Sequence, residues 1–512
     1  MSYAATRWIY LRLLGIVFVV AFGSLLPQVA GLVGPRGILP LAPYLAHARE
    51  ALGAAAYWRL PTLGWLSTSE RFLEALCAVG VLLGGLLLLG VAQRAVLALA
   101  WALYLSLVVA GQTFLSFQWD VLLLEAGLLS LLVAPDGILP RRAADETRPW
   151  SAGIWLLRVL LFKLMFLSGA TKLLSLDETW WGLTALDYHY FTQPLPAWTS
   201  WYAHQLPSWL EHVSVIVMFA IELVVPFLVF GPRRARAIAF AALALFQLAI
   251  AATGNYGFFN LLTLVLCVPV LDDALILRVV PAPLRPAFGG VSKGADRAAP
   301  GRPATLERHW LRRIAPAGLV LLVLALEGLS LGQELERTAG RNSQRLGWAG
   351  RALDWAGRNG LTWGEQNLLR PLAPLRSFNG YGLFRSMTKE RPELVLEASD
   401  DGLDWKPIEL RYKPGDPSRA PSFVQPHMPR LDWQLWFAAL DPAGYASLLE
   451  RLERRILEGS PPVRALVSGP ATPPRFVRVV LYRYEFTTPE ERRRTGAWWK
   501  RERLGIGRAI AL

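Results

Sequence analysis

The sequence predicts a polytopic α-helical membrane protein of about nine spans that carries a C-terminal extramembrane β-rich, sandwich-like domain. Its 512 residues are 53% hydrophobic, with a mean hydropathy of +0.33. Soluble domains contain about 45–50% apolar residues by a count that includes glycine. Apolar runs of about 20 residues, the length that crosses a bilayer, recur along the chain. Lys and Arg concentrate in alternate connections, as they do in the cytoplasmic loops of membrane proteins.

Nine apolar segments are predicted to be membrane spans. Two of them, 119–134 and 256–271, are short for a bilayer, and packing inside the helical bundle is their alternative to spanning. The nine segments are 8–26, 72–90, 95–112, 119–134, 153–175, 212–231, 236–253, 256–271 and 314–331.

The charges between these segments predict the orientation of the chain. No Lys or Arg occurs between Lys172 and Arg233, a stretch that is acidic and aromatic, so we expect 176–211 to be an outside loop. Segment 27–71 is broken by prolines and is expected to be a second outside loop with short interfacial helices. With a cytoplasmic N-terminus, the other basic connections share one side. They contain Arg7, Arg94, Arg141, Arg142, Arg148, Arg233, Arg234, Arg236 and the cytoplasmic basic linker 272–313.

Two domains follow from this pattern, a transmembrane domain at 1–331 and a β-rich domain at 332–512. The same charge pattern places the second domain outside, in the periplasm or an organelle lumen. A helix is expected at 443–458. Apolar and polar residues alternate with a period of two, which predicts strands with one buried face. These strands are expected at 393–398, 408–412 and 476–486.

Composition argues against several function classes. The two cysteines, Cys77 and Cys267, lie in apolar stretches and form neither a disulfide framework nor a metal motif. The net charge of +14 suits basic loops that meet anionic lipid, and no nucleic-acid-binding motif accompanies it. No nucleotide, zinc-protease or hydrolase fingerprint is present. We therefore expect membrane lipid as a partner, and no cofactor, metal or nucleic acid.

Ionisable residues inside the predicted spans are the first candidate site. Such groups usually pair with one another or line a wet cavity. Lys163 and Lys172 are nine residues apart, which places them on opposite faces of an ideal helix. A Glu125–Lys163 or an Asp120–Lys172 pair is predicted. The sequence leaves two interpretations of these residues: they form ion pairs that stabilise the helical bundle, or they form a catalytic cluster. The remaining members of the set are Arg158, Glu222 and Glu327.

The outside loop 176–211 and its surroundings carry three histidines. His189, His204 and His212 are able in principle to bind a metal or to move protons. Their spacings of 15 and 8 residues match no zinc signature. An aromatic belt at the membrane interface is the alternative interpretation of this stretch.

Two strings of the C-terminal region are candidates for contact with a client protein. Aromatic residues with Arg and Met form adaptable contact surfaces. Helical spacing of the aromatics in the second string equally fits a plain core. The candidates are Tyr381, Phe384, Arg385 and Met387 in the first string, and Trp433, Trp436 and Phe437 in the second.

Eight long strings stand in a fixed order along the chain. They are "GLVGPRGILPLAPYL" (31–45), "FQWDVLLLEAGLLS" (117–130), "LLRVLLFKLMFLSGATKL" (156–173), "ALDYHYFTQPLPAW" (185–198), "NYGFFNLLTLVLC" (255–267), "NGYGLFRSMTKERPE" (379–393), "HMPRLDWQLWFAAL" (427–440) and "PPRFVRVVLYRYEFTT" (473–488). With these strings the chain resembles the lipase maturation factors, polytopic proteins of the endoplasmic reticulum membrane in animals, with bacterial relatives. The resemblance runs from about residue 8 to residue 503. The Ala-, Arg- and Leu-rich composition suggests a bacterial member, which implies the inner membrane.

The resemblance implies a chaperone-like role in the secretory pathway. Its animal members help dimeric secreted lipases to reach an active, assembled state. The client implied is an exported protein, with a lipase as the first candidate, and the C-terminal domain is the part expected to meet it. A weaker similarity, "SGATKL" (168–173) with "WWGL" (180–183), is to the membrane domain of vitamin K-dependent carboxylases, in which a lysine acts as a base. That analogy singles out Lys172.

Two hypotheses from different classes result. A membrane-anchored folding factor predicts an exposed aromatic or apolar patch and no catalytic constellation in the outer domain. A membrane-embedded enzyme or carrier predicts that charged groups converge on a polar cavity, and it fails if those groups are dispersed or tightly paired. The folding factor, which is not an enzyme, is favoured by the resemblance. The groups required by the alternative are Lys172, Lys163, Asp120, Glu125 and His189.

Overall fold

A computed structural model describes residues 2–145, 149–280, 311–340 and 342–511. Arg148 and most of the predicted linker 272–313 lie outside the described residues. In chain order the first helices are Ala4–Leu25 (α1), Val29–Val33 (α2), Leu41–Leu52 (α3), Ala55–Arg59 (α4), Glu70–Leu89 (α5), Gln93–Ala110 (α6), Gln118–Ser130 (α7), Ser151–Leu174 (α8), Glu178–Trp181 (α9), Ala185–Thr192 (α10), Trp198–Ala203 (α11) and Ser208–Leu223 (α12). The others are Val225–Leu228 (α13), Arg233–Thr253 (α14), Phe259–Cys267 (α15), Asp273–Val279 (α16), Leu311–Gly340 (α17), Gly347–Ala356 (α18), Thr362–Gly364 (α19), Arg370–Leu372 (α20), Arg430–Leu440 (α21), Ala446–Leu457 (α22), Pro461–Arg464 (α23) and Pro489–Thr495 (α24).

Within the described ranges, seven helices are long and apolar enough to cross a membrane. They are α1, α5, α6, α8, α12 with α13, α14, and Ala317–Gly340 of α17. The two segments that the sequence marks as short are α7 and Phe259–Val270. Both are almost wholly buried, so they pack inside the bundle. All nine predicted apolar segments are therefore helices of a multi-pass membrane domain.

The closest helix packing in the bundle is between α1 and α5. A Cβ atom added to Gly15 would lie 2.6 Å from the backbone N of Leu88, and one added to Gly84 would lie 2.7 Å from the backbone N of Val19. Small residues allow membrane helices to approach this closely, and the resulting contact area substitutes for a hydrophobic driving force. The pair α1–α5 thus forms a tight base for the rest of the bundle.

The two ends of the bundle differ in charge and in what they contact. At the end where α1 begins, Arg7 donates to the Val133 carbonyl, and Asp272 pairs with Arg236 at 2.8 Å. At the opposite end, the Ser24 hydroxyl accepts from the Met428 backbone N–H at 2.7 Å. The basic connections therefore gather at one end, and the C-terminal region docks on the other.

The C-terminal region contains one five-stranded antiparallel sheet. Its strands are Arg391–Ser399 (β1), Lys406–Leu410 (β2), Val467–Ser468 (β3), Phe476–Phe486 (β4) and Trp499–Ile506 (β5), in the order β3-β2-β1-β4-β5. In the central pair, Leu394 of β1 lies opposite Leu481 of β4. The three predicted strands and the predicted helix, now α22, are confirmed.

The layering of this domain differs from the expected sandwich. In the described part of the chain, helices α21 and α22 pack on the sheet where a second sheet was expected. Helix α22 has the strongly amphipathic pattern that suits this position, because it buries Leu448, Leu452 and Ile456 on one face. Alternating strand patterns identify a half-buried sheet, but they do not reveal whether strands or helices cover it.

Candidate functional site

Arg430 joins the C-terminal domain to the membrane bundle through a buried ion pair with Asp120. Its Nη1 and Nη2 groups donate to the two carboxylate oxygens at 2.5 and 2.8 Å, and the Tyr104 hydroxyl donates to the same carboxylate at 2.6 Å. Asp120 lies in the first turn of α7, where the helix dipole favours a negative charge. Burial lowers the pKa of Arg430, but the Asp120 carboxylate more than offsets this and raises it. The pair fixes α21 against the bundle.

Lys163 lies at the centre of a second buried cluster, between two carboxylates. Its Nζ is 2.5 Å from Oε1 of Glu125 on α7 and 2.5 Å from Oε2 of Glu327 on α17. The other oxygen of Glu125 accepts from the Tyr381 hydroxyl at 2.7 Å and from the Asn379 backbone N–H at 3.1 Å. One carboxylate of the bundle thus holds both a lysine and the segment that leads into the sheet. The predicted Glu125–Lys163 pair is formed.

Lys172 faces a different helix from Lys163. Its Nζ donates to both carboxylate oxygens of Glu222 on α12, at 2.9 and 2.7 Å. The predicted Asp120–Lys172 pair does not form, because Asp120 is held by Arg430. Among the described residues the two lysines share no partner, in keeping with their places on opposite faces of α8.

A third set of contacts binds the outside loop to the sheet. Arg391 of β1 donates to the carbonyls of Phe191 at 2.7 Å and Pro194 at 3.0 Å, and also to the carboxylate of Glu393 at 2.8 Å. Lys413 contacts the second carboxylate oxygen of Glu393. Burial lowers the pKa of the Arg391 guanidinium to about 9. The loop and the first strand therefore form one packed unit.

The loop histidines do not converge on one point. The His189 Nε2 is 3.0 Å from the Tyr256 hydroxyl, which donates to Gln193 at 2.8 Å. Burial, and to a lesser extent the nearby charge of Lys172, lowers the pKa of His189 to about 4. His204 instead packs against aromatic rings of the loop and the sheet. In the described residues, no group of three His, Cys, Asp or Glu side chains is placed to hold a metal ion.

The contacts of the two lysines argue against the hypothesis of a membrane-embedded enzyme. Lys163 and Lys172 are both nearly inaccessible to solvent, and both are in contact with carboxylates. An ammonium group held in this way has no lone pair with which to accept a proton. The charged groups are tightly paired, which is the arrangement that disfavours a catalytic cluster. We call the set of contacts made by Arg430, Tyr381 and Asn379 with the bundle the domain seam.

Known proteins are similar to this chain on both sides of the seam, in the membrane domain and in the C-terminal domain. The family model described as the lipase maturation factor transmembrane domain matches residues 5–278, and the model of the lipase maturation factor C-terminal domain matches residues 377–507. Lipase maturation factor 2 from Homo sapiens is 38% identical over 97% of this chain and 81% of the relative. The chain belongs to the lipase maturation factor family.

Similarity extends to both named types within the lipase maturation factor family. Lipase maturation factor 2 from Mus musculus is 39% identical over 96% of this chain and 81% of the relative. Lipase maturation factor 1 from Mus musculus is 32% identical over 98% of this chain and 86% of the relative. No solved structure matches the chain. The partners in the seam lie within the two matched ranges, with Asp120 and Glu125 in the first and Tyr381 and Arg430 in the second.

The residues predicted to contact a client are largely covered in this structure. Tyr381 is completely buried, and Trp433 and Trp436 are 4% and 8% exposed. Trp433 packs against the ring of Trp119 in the bundle, and Trp436 donates from its indole N–H to the Thr192 carbonyl at 2.9 Å. The partly accessible members are Phe384, Arg385, Met387 and Phe437. Of the two interpretations of string 427–440, its placement fits the core; client contact by these residues stays a prediction.

Three exposed tryptophans were not identified from the sequence. Trp348, Trp355 and Trp363 are 78%, 64% and 64% exposed. They lie on a helical stretch, 347–372, which we call the tryptophan segment. Two π turns, Gly357–Leu361 and Glu365–Leu369, interrupt its α-helical turns. The tryptophans are seven and eight residues apart. Seven residues make about two α turns, and eight residues make one α turn plus one wider π turn, so all three tryptophans share a face.

The opposite face of the tryptophan segment packs on α17. A Cβ atom added to Gly364 would lie 2.4 Å from a methyl carbon of Leu329, and one added to Gly357 would lie 3.2 Å from the side chain of Glu336. These glycines are seven residues apart. The sequence signal for this surface was a seven-residue repeat of glycines, with tryptophans at other positions of the same stretch. Glycines allow close helix packing, and tryptophans on the opposite face are suited to binding a partner.

Proposed function

We propose that this protein is a membrane-anchored maturation factor that helps exported lipases to fold or assemble. The observation that carries the proposal is near full-length similarity to proteins named lipase maturation factors. The buried ion pairs of Lys163, Lys172 and Arg430 support it, since each of these cations is held by a carboxylate. The proposal therefore assigns the protein a binding role rather than a chemical one.

In this proposal the membrane domain holds the C-terminal domain in place. The tryptophan segment, which packs along the outer half of the candidate span Ala317–Gly340, contacts the client at the membrane surface. Tryptophan is enriched in the residues that dominate binding energy at protein interfaces. The client is a partly folded lipase, which exposes apolar surface before it assembles. Phe384, Met387 and Phe437 are partly accessible and remain further candidates for contact with the client.

We further propose that the N-terminus is cytoplasmic and that the C-terminal domain lies outside, where exported proteins fold. The boundary expected at residue 332 moves to the end of the candidate span at Gly340. The support is the segregation of basic connections at the end of the bundle opposite the C-terminal domain. In eukaryotic relatives this side would be the lumen of the endoplasmic reticulum, and in a bacterial inner membrane it would be the periplasm. Cysteine labelling at Ser2 and Ser418 with a membrane-impermeant reagent tests this orientation: Ser418→Cys is expected to react in intact cells, and Ser2→Cys only after lysis.

The test of the maturation role is co-expression with an exported lipase in cells that lack the protein. Trp348→Ser/Trp355→Ser/Trp363→Ser is compared with the wild-type protein, and active lipase is measured relative to total lipase. Because a few central aromatic residues carry most of the energy of an interface, we expect active lipase to fall at least about tenfold. Protein abundance in the membrane is expected to be unchanged.

The matched control is Trp198→Ser/Trp209→Ser, which removes two exposed tryptophans of the outside loop region. This control is expected to keep most of the activity. An equal loss in both variants would attribute the effect to membrane anchoring rather than to a client surface. Full lipase activity without the protein, for every exported lipase tested, would refute the maturation role.

A further inference from the structure

A cavity of about 790 Å³ opens between the membrane bundle and the tryptophan segment. One wall is formed by Trp58 and Arg59 of α4, and another by Gln333 of α17. The end of the tryptophan segment and the following loop close it with Arg370 and Arg376. The cavity is separate from the client surface proposed above, because the three exposed tryptophans do not line it.

Hydrogen-bond donors without partners concentrate in this cavity. The guanidinium groups of Arg59, Arg370 and Arg376 form no hydrogen bond or ion pair with the described residues. The side-chain N–H₂ of Gln333, a residue that is 93% buried, also has no partner among them. Arg59 and Arg370 are exposed and Arg376 is half-buried, so water reaches their guanidinium groups, whereas the buried Gln333 amide needs an acceptor from a ligand. Three guanidinium groups around that amide favour an anion.

The acidic residues of the same lining are already used. Glu365 pairs with Arg337 at 3.1 Å, and Glu334 is in contact with Arg385. The positive charge of the three free arginines is therefore not neutralised by the wall itself. Burial lowers the pKa of the Arg376 guanidinium, and the charges of Tyr44 and Asp120 offset this only in part. Arg376 also has a φ of 48°, an uncommon conformation for a residue with a side chain.

The rest of the lining and its surroundings are apolar. Leu369, Leu372 and Phe378 contribute to the walls. Beside the cavity, Tyr57 and Trp58 are 47% and 55% exposed, and Leu66 is 77% exposed, in the segment that connects α1 to α5. Gln333 lies about two turns before the end of the candidate span Ala317–Gly340, so the cavity is near the outer end of the membrane domain. Exposed aromatic and leucine side chains at this level are typical of lipid contact.

We propose that this cavity is a binding site for an anionic phospholipid. Its phosphate is held by Arg59, Arg370 and Arg376, and the first part of an acyl chain lies against Trp58 and Leu372. Guanidinium groups bind phosphate oxygens in pairs, with charge-assisted hydrogen bonds. Basic pockets between membrane helices bind lipid head groups on the cytoplasmic side, and the same chemistry is available to this cavity at the outer end of the bundle. A bound lipid would connect α4, α17 and the tryptophan segment, and would make the position of that segment depend on the membrane.

The experiment uses the full-length protein, purified in detergent and stripped of lipid. It is titrated with phosphatidylglycerol and with phosphatidylcholine of the same acyl chains, and bound copies are counted by native mass spectrometry. One phosphatidylglycerol is expected to bind at least about tenfold more tightly than phosphatidylcholine, because the choline cation opposes the arginines. Equal affinity for the two lipids would overturn the proposal.

Variants locate the site. Arg370→Gln/Arg376→Gln is expected to lose the preference for phosphatidylglycerol, whereas Arg351→Gln/Arg358→Gln, on the exposed face of the same segment, is expected to keep it. If the first variant unfolds, Arg59→Gln on the facing wall replaces it. Wild-type binding by a folded cavity variant, or equal loss in the control pair, would refute this location.

A final arm separates a lipid from a soluble phosphate. Glycerol 3-phosphate, which has the phosphate but no acyl chain, is added in tenfold excess over phosphatidylglycerol. The lipid is expected to stay bound. Displacement would show that a water-soluble phosphate ester is the better ligand, and would overturn the assignment to lipid. All readouts are independent of lipase, so failure here leaves the maturation role untouched.

Discussion

The domain seam and the tryptophan segment are built from the same residue types in opposite settings. In the seam, Trp433 and Arg430 are buried, and the guanidinium meets the two oxygens of Asp120. In the segment, Trp355 is 64% exposed, and Arg358 is also exposed. Aromatic and basic side chains thus hold two domains together in one region and remain available in the other. Composition alone does not show whether such residues hold domains together or bind a partner. Burial of the aromatic rings and pairing of the charges make that distinction.

The largest effect is expected from breaking the seam. Arg430→Met leaves the Asp120 carboxylate buried without its partner, which costs about 3–5 kcal/mol of the free energy of unfolding. The measurement is denaturant-induced unfolding in detergent micelles. Arg358→Met, at an exposed site, is the control and is expected to change stability by less than about 0.5 kcal/mol. Equal stability of the two variants would show that the seam does not hold the domains together.

A slightly smaller effect is expected at the Lys172–Glu222 pair. Single and double variants of this pair distinguish a structural role of Lys172 from a chemical one. Lys172→Met strands a buried carboxylate and is expected to cost about 3 kcal/mol. Lys172→Met/Glu222→Met replaces both charges by apolar groups and is expected to recover most of the stability, together with active lipase. Recovery of stability without recovery of lipase maturation would indicate that the lysine does chemistry, contrary to the pairing seen here.

Acidic pH is expected to lower the free energy of unfolding through His189, in the loop beside the seam. The pKa of His189 is lowered to about 4 in the folded protein, against about 6.5 for an unfolded chain. Between these values the unfolded state binds more protons, so stability is complete above pH 6.5 and declines as the pH falls toward 4, by about 1–3 kcal/mol. His189→Gln is expected to flatten this part of the stability profile. The exposed control His47→Gln is expected to retain it, and an unchanged profile in His189→Gln would assign the pH dependence to other groups.

The smallest effect on stability is expected from the tryptophan segment. Each of Trp348→Ser, Trp355→Ser and Trp363→Ser removes an exposed side chain and is expected to change the free energy of unfolding by less than about 0.5 kcal/mol. Thermal unfolding in detergent measures this, with Trp433→Ser as the buried contrast, for which a loss of several kcal/mol is expected. Comparable losses at both places would mean that the segment is part of the structural core and not a free surface.

Local patterns predicted most of the fold. The nine apolar segments are helices because a chain in lipid must satisfy its backbone hydrogen bonds internally. The strands β1 and β4 follow from alternation, and α22 follows from its amphipathic period. Helical segment 347–372 escaped prediction because its glycines and π turns disturb the regular period on which such predictions depend.

The candidate site was predictable only in part. The helical period correctly separated Lys163 from Lys172, and the tendency of charges inside spans to pair made Glu125 a candidate partner for Lys163. The pairing of Asp120 with Arg430 was not predictable, because 310 residues separate them and Arg430 lies in a different domain. The same contact explains why the Asp120–Lys172 pair does not form.

The sequence by itself determined the membrane class, the helical segments, the separation of basic and acidic connections, and the main strands. Each of these depends on hydropathy, charge or periodicity within a short window. The tertiary structure decided which charges meet, which tryptophans are buried, and which arginines around a cavity have no partner among the described residues. Those outcomes depend on contacts between distant segments, since a side chain's periodicity fixes the face it occupies and not the residue that it meets there.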